Sequence, residues 1–147
     1  MNEIRADRSI YDFIIMCFKE DLVDLGINEC DFPSYTAFMS YEKFLKQGRQ
    51  CRLFFTSQGG LVALRDKDQA YEIKWLCVHP SQRHRGLGRT VMDFCVSEAK
   101  AQGKKQLVLG CYKENDQLVS WYLDQGFKQY KINKRRTGPI WFMKKAL

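Results

Sequence analysis

Between a strand-like run, Tyr71 to Val78, and a helix-like run, Leu87 to Gln102, the chain reads Arg83-His84-Arg85-Gly86-Leu87-Gly88. A strand feeding a glycine loop that opens a helix constrains the fold more than any other feature. With the apolar run Gln106–Tyr112 it forms a βαβ unit, whose strands are parallel and whose crossover is right-handed. The first turn of such a helix leaves several backbone N–H groups unpaired. Gly86 and Gly88 remove the side chains that would hold a ligand off that backbone. The helix dipole adds partial positive charge, and Arg83, Arg85 and Arg89 add full charges. The expected product is a socket for a phosphate-bearing ligand.

The flanking segments read as follows. Met1–Asp7 alternates as a first strand. Ser9 or Asp7 caps a helix running to about Leu25, with Ile10, Phe13, Ile14, Cys17, Phe18 and Leu22 on its apolar side and Gly26 ending it. Ile27–Pro33 reads as a loop and Ser34–Gln47 as a second helix, with Gly48 after it. Cys51–Thr56 and Leu61–Arg65 flank the turn Ser57-Gln58-Gly59-Gly60. Asp66–Gln69 is a turn, and Ala70–Val78 is a long strand stopped by Pro80. In the helix after the glycine loop, Leu87, Val91, Phe94, Cys95 and Ala99 share one side, and Gly103 closes it. Asp116–Gln125 is a short helix capped near Asn115 or Asp116. Phe127–Asn133 and Ile140–Lys144 close the chain as a strand pair around Thr137-Gly138-Pro139. The expected fold class is α/β: a mixed, mostly antiparallel twisted sheet with a central parallel βαβ unit and helices on both faces. One domain spans 1–147.

Charge narrows the function. The net charge of +7 divides into −6 over residues 1–42 and +13 over the rest. Such asymmetry suits two partners of opposite sign. Nucleic acid fits poorly, because the aromatics lie in apolar runs and do not interleave with basic residues. No run approaches the roughly 20 apolar residues of a membrane span. The six cysteines lie 13 to 26 residues apart, with no Cys-x-x-Cys pair and only His79 and His84 beside them, so no metal site is expected. Most sit in apolar runs, as buried free thiols do, which fits a reducing cytoplasm.

Three glycine-loop readings compete. A dinucleotide fingerprint needs a third glycine where Val91 stands. A P-loop needs Gly-Lys-Ser/Thr where Gly88-Arg89-Thr90 stands. The third form, Arg/Gln-x-x-Gly-x-Gly after a strand, matches Arg83 to Gly88. Here the chain resembles the GNAT superfamily of acyl-coenzyme A-dependent N-acetyltransferases. The resemblance covers nearly the whole chain. A downstream segment, Asn115-x6-Tyr122-x3-Gly126-Phe127, is similar to the family's second signature, with one departure at Leu118, where a small residue is common.

The resemblance implies acetyl-CoA as cosubstrate, with no metal, and an amine acceptor. It implies that Arg83, His84, Arg85, Gly86, Leu87, Gly88 and Arg89 hold the diphosphate. Backbone around Leu76, Cys77 and Val78 would hold the thioester, and Asn115 would contact the pantetheine arm. Tyr122 would face the sulfur as a proton donor, in competition with a plain core role beside Phe127. Strand alternation places Glu72, Lys74, Leu76 and Val78 on one side and Ile73, Trp75 and Cys77 on the other. Glu72 stands 14 residues before Gly86, where several family members carry a general base. It is read either as that base or as an ion-pair partner of Lys74 or Arg65. Neither histidine is placed to activate a cysteine, so direct transfer in a ternary complex is expected over an acyl-enzyme.

The region Asp12 to Glu42, with Glu20, Asp21, Asp24, Glu29 and Asp31 among Phe32, Tyr35, Phe38 and Tyr41, suits a cationic amine. The alternative function is a non-catalytic acyl-CoA-binding or sensing domain, which would not need Glu72 and Tyr122. The final strands offer an edge for a homodimer.

Overall fold

The computed structural model of the chain describes residues 1–26, 40–135 and 138–147. Seven strands form one sheet: β1 (Asn2–Ile4), β2 (Cys51–Thr56), β3 (Gly60–Lys67), β4 (Ala70–Val78), β5 (Gln106–Tyr112), β6 (Lys128–Arg135) and β7 (Gly138–Ala146). Their spatial order is β1-β2-β3-β4-β5-β7-β6. Only β4 and β5 are parallel, as the βαβ reading requires. Among the described residues the helices are α1 (Arg8–Asp24), α2 (Tyr41–Gly48), α3 (Leu87–Ala101) and α4 (Asp116–Asp124). None is long and apolar enough to cross a membrane.

Two hydrophobic clusters sandwich the sheet. On one face α3 and α4 bring Val91, Met92, Cys95, Ala99, Val119 and Tyr122 onto Val62, Leu64, Ile73, Leu107, Leu109 and Met143. On the other, α1 and α2 bring Ile14, Cys17 and Phe44 onto Leu53, Leu61, Ala63, Trp75 and Cys77. Fold class and helix placement match the expectation from sequence.

Local chemistry explains where the boundaries moved. Asp7, not Ser9, caps α1: its carboxylate accepts from the Ile10 N–H at 3.0 Å and from Ser9 Oγ at 2.7 Å. This shortens β1 to three residues. Ser40 accepts from the Lys43 N–H and starts α2 at Tyr41, so the helix expected from Ser34 is seen here only from that cap onward. Glu29, Asp31, Phe32, Tyr35 and Phe38 lie outside the described residues. Gly60 belongs to β3, because a Cβ there would meet Val91 Cγ2 at 2.8 Å. The glycine is what lets α3 lie so close to the sheet. The five described cysteines are free thiols.

One expectation is overturned. β4 does not alternate along its whole length. Its register against β3 shifts between Ala63 and Leu64, so that Trp75 faces Ala63, Ile73 faces Leu64 and Lys74 is left over. Such a bulge turns every later side chain to the other face. Ile73 therefore shares the α3 face with Leu76 and Val78. Glu72 shares the α1 face with Trp75 and Cys77.

Candidate active site

The glycine loop is shaped by what comes before it. Pro80 ends β4 and opens a short 3₁₀ turn, Pro80–Gln82, with His79 Nδ1 accepting from the Ser81 N–H at 3.2 Å. His84 and Gly86 then adopt left-handed backbone, with φ of 60° and 84°. A left-handed residue followed by a helical one turns successive N–H groups toward a common side. Gly86 is the N-cap of α3 and has no capping side chain. No N–H from His84 to Arg89 donates to a described backbone carbonyl. His84, Arg85, Gly86 and Arg89 are exposed, and among the described residues neither Arg85 nor Arg89 makes an ion pair. The loop thus gathers amides without described backbone partners, a helix N-terminus and two guanidinium groups without ion pairs among the described residues.

Arg83 is elsewhere. Its Nε donates to the Val78 carbonyl at 3.1 Å and its Nη2 to the Cys17 carbonyl at 3.2 Å. Its Nη1 pairs with Asp21 at 2.8 Å and Asp24 at 3.3 Å. The guanidinium thus ties the start of the loop to α1 and to the end of β4. Burial raises the Asp21 carboxyl above the ordinary carboxylate range, against the pull of Arg83. Arg83→Met should therefore cost about 1–3 kcal/mol of stability, since it leaves a half-buried carboxylate unpaired and takes one donor from each of two carbonyls. Urea unfolding followed by circular dichroism measures this, and an unchanged midpoint contradicts it.

The second half of the site is an opening in the sheet. β4 and β5 pair only over Ala70–Ile73 with Gln106–Leu109. Beyond that, Lys74–Val78 and Gly110–Tyr112 have no register with each other, although β4 keeps β3 and β5 keeps β7. The backbone of Leu76, Cys77 and Val78 thus lines a gap whose mouth leads to the glycine loop. A Cβ on Gly88 would lie 3.4 Å from Trp121 Cζ2 and 3.8 Å from Val78 Cγ2. Gly88, Val78 and Trp121 therefore share the wall of that gap. Trp121 is a lining residue that sequence reasoning missed. Its neighbour Tyr122 carried the motif, and no spacing singled out the tryptophan.

Asn115 and Tyr122 stand on α4. Asn115 is buried and caps the helix, its Oδ1 accepting from the Leu118 N–H at 3.1 Å. Its amide Nδ2 has no described partner. Tyr122 is buried, edge-on to Phe127 with ring centroids 5.7 Å apart. Burial, then the neighbouring Cys111, Cys77 and Cys95, push its phenol above the ordinary range. The ring packs in the core, and its hydroxyl makes no hydrogen bond to a described residue. The neighbouring Cys17 thiol and then burial hold the Cys77 thiol well above the ordinary range. It is protonated at neutral pH and a poor nucleophile.

Glu72 sits one pair before the gap, in register with Val108. Its Oε2 accepts from Arg65 Nε at 2.9 Å, and Lys74 and Lys67 lie 3.6 and 3.9 Å from its carboxylate. Both expected ion-pair partners are thus in place.

With this geometry in hand, likeness to known proteins can be weighed. A model of the acetyltransferase (GNAT) family matches residues 21–127. No curated protein matches the chain. Among solved structures, a GCN5-related N-acetyltransferase from Rhodopseudomonas palustris is 17% identical at TM-score 0.76, over 99% of this chain and 94% of that one. The PaiA N-acetyltransferase from Thermoplasma acidophilum, in complex with coenzyme A, is 19% identical at TM-score 0.69 over the whole of both chains. A GNAT family acetyltransferase from Elizabethkingia anophelis with acetyl-CoA bound is 19% identical at TM-score 0.65, over 74% of this chain and 84% of that one. At such identities these likenesses speak to the fold alone.

Proposed function

Since the chain belongs to the GNAT family of acetyltransferases, we propose that it moves an acetyl group from acetyl-CoA to a primary amine, by direct attack in a ternary complex. Residues 1–147 serve as the single catalytic domain. The observation that carries the reading is the run of N–H groups from His84 to Arg89 that donate to no described backbone carbonyl, at the mouth of the β4–β5 gap. The coenzyme A held by the Thermoplasma acidophilum relative supports placing that ligand's diphosphate here.

Leu87, Gly88 and Arg89 offer helix N-terminal amides, and His84, Arg85 and Gly86 offer the loop. Arg85 and Arg89 supply the cations. Arg83 acts as a positioning residue, holding the loop to α1. The pantetheine arm runs along the gap, with the Asn115 amide as a donor. Backbone N–H groups around Leu76, Cys77 and Val78 receive the thioester carbonyl, where they stabilise the oxyanion of the tetrahedral intermediate.

An acceptor resembling lysine arrives as ammonium, with a pKa near 10. Its proton passes to Glu72, through a water where Arg65 blocks direct approach. The free amine attacks the carbonyl carbon, the carbon–sulfur bond breaks, Tyr122 donates a proton to the departing thiolate, and the proton lost by the new amide nitrogen returns through solvent to the Tyr122 oxygen. A phenol held in its protonated form by burial surrenders that proton only as charge gathers on sulfur. A cytoplasmic setting fits the free thiols of the described cysteines.

Calorimetry with acetyl-CoA, followed by thiol release across a panel of amines, tests the reading. Binding without release on any amine would instead mark a non-catalytic acyl-CoA sensor. Glu72→Gln should lower kcat/KM about 10²-fold at neutral pH. The deficit should shrink as pH rises and the amine loses its proton unaided, which a purely structural role would not produce. A rate equal to wild type at every pH removes Glu72 from the mechanism.

A further inference from the structure

The α1 face of the sheet changes character past β4. Over β2 to β4 it is apolar, under Ile14, Cys17 and Phe44. On β5, β7 and β6 the same face carries Val108, Gly110, Phe142, Lys144, Lys128 and Lys131. Register fixes this: Glu72 pairs with Val108, Val108 with Lys144, and Lys144 with Lys128. One step toward the gap, Gly110 pairs with Phe142 and Phe142 with Lys131. Paired residues share a face.

Gly110 is exposed in the middle of the sheet, beside the gap. A Cβ there would press on Phe142 and Ile140 at 3.2 Å. With no side chain at 110, the Phe142 ring lies close over the β5 backbone, between the gap and the lysines. Lys131 and Lys144 are exposed and rest their ammonium groups over the Phe142 and Tyr130 rings at 5.6 and 5.2 Å. Among the described residues Glu72 is the sole carboxylate on this face of β3 to β7, and Arg65, Lys67 and Lys74 already surround it. Nor does α1 supply the missing negative charge: Asp21 and Asp24 are turned to Arg83, Asp12 pairs with Arg8, and among the described residues Glu20 makes no ion pair with either lysine. Among the described residues Lys131 and Lys144 are thus cations without a carboxylate partner, three strands and two strands from Glu72 respectively.

Resting on the acetyltransferase reading, we propose that the acceptor is an amine that also carries an anionic group, a carboxylate or a phosphate, bound by Lys131 and Lys144. The amine lies at the β4–β5 gap beside Glu72, and the anion lies across β5. Two interstrand steps to Lys144 and three to Lys131 set the backbone span at roughly 10–14 Å, which the lysine side chains shorten.

The test uses matched acceptors on the whole chain: 6-aminohexanoate against hexylamine, phosphoethanolamine against ethanolamine, and glycylglycine against its amide. In at least one pair the anionic member should show kcat/KM higher by about tenfold or more at low salt. That preference should fall as ionic strength rises. The double variant Lys131→Gln with Lys144→Gln should erase it through KM for the acceptor, leaving acetyl-CoA affinity unchanged. Separating the first two pairs tells carboxylate from phosphate. Equal rates, a preference for the uncharged-tail members, a preference that survives the double variant, or no thiol release from any acceptor while acetyl-CoA binds, each overturns the proposal. Absence of acetyl-CoA binding overturns the acetyltransferase reading itself, and this proposal with it.

Discussion

Gly88→Leu is expected to weaken acetyl-CoA binding by about 10²-fold or more, by closing the helix N-terminus to a diphosphate. Position 88 has ordinary helical backbone, so leucine introduces no conformational strain. What it introduces is bulk. The first added carbon would already touch Trp121 and Val78, and the remainder of the side chain must fill the gap or cover the amides of Leu87 to Arg89. Each hydrogen bond from such a donor to a charged phosphate contributes about 1.5–3 kcal/mol, so the loss of one or two accounts for the expected change. Gly88→Ala is the control. Its methyl group makes only van der Waals contact, and alanine favours a helix over glycine by about 1 kcal/mol. It should bind acetyl-CoA far better than the leucine variant and melt no lower than wild type. Calorimetry on both variants decides the matter. Equal affinity in Gly88→Leu and wild type, with native circular dichroism, removes the diphosphate from this loop.

Tyr122→Phe should lower kcat about 10²-fold, the lower end of what a positioned proton donor contributes, with little change in stability or acetyl-CoA affinity. The ring carries the packing against Phe127 and Trp121, and phenylalanine keeps it. The hydroxyl has no described hydrogen-bond partner, so its removal strands no buried group. Single-turnover thiol release isolates the chemical step from product release. Wild-type kcat in a folded variant would leave Tyr122 as a core residue and nothing more.

The parts of the fold readable from sequence are those written in local chemistry. The βαβ unit is legible because Pro80, the glycine loop and the helical spacing from Leu87 to Ala99 all act over a few residues. Asp7 acts just as locally, as a helix cap. The bulge at Lys74 is different in kind. Within β4 the order Glu72, Lys74, Leu76 looks like simple alternation, and only pairing with Ala63 and Leu64 shows that a residue is left over. Arg83 is a similar case. Its motif position suggests a phosphate ligand, but its guanidinium meets Asp21 and the Cys17 carbonyl more than 60 residues away. Long-range pairing of this sort depends on tertiary geometry and leaves no mark in spacing. Trp121 and the lysines of β6 and β7 gain meaning only once the sheet order sets them around the gap and beside Gly110.

The leftover residue in β4 has one more result. It makes this strand a crankshaft: its first half shows one profile to α3, and its second half shows that profile to α1. Pairing Lys74 into the ladder would straighten the crank, carrying either Glu72 into the hydrocarbon beneath α3 or Trp75 and Cys77 out from beneath α1, whereas deleting Lys74 would leave both halves on their present faces.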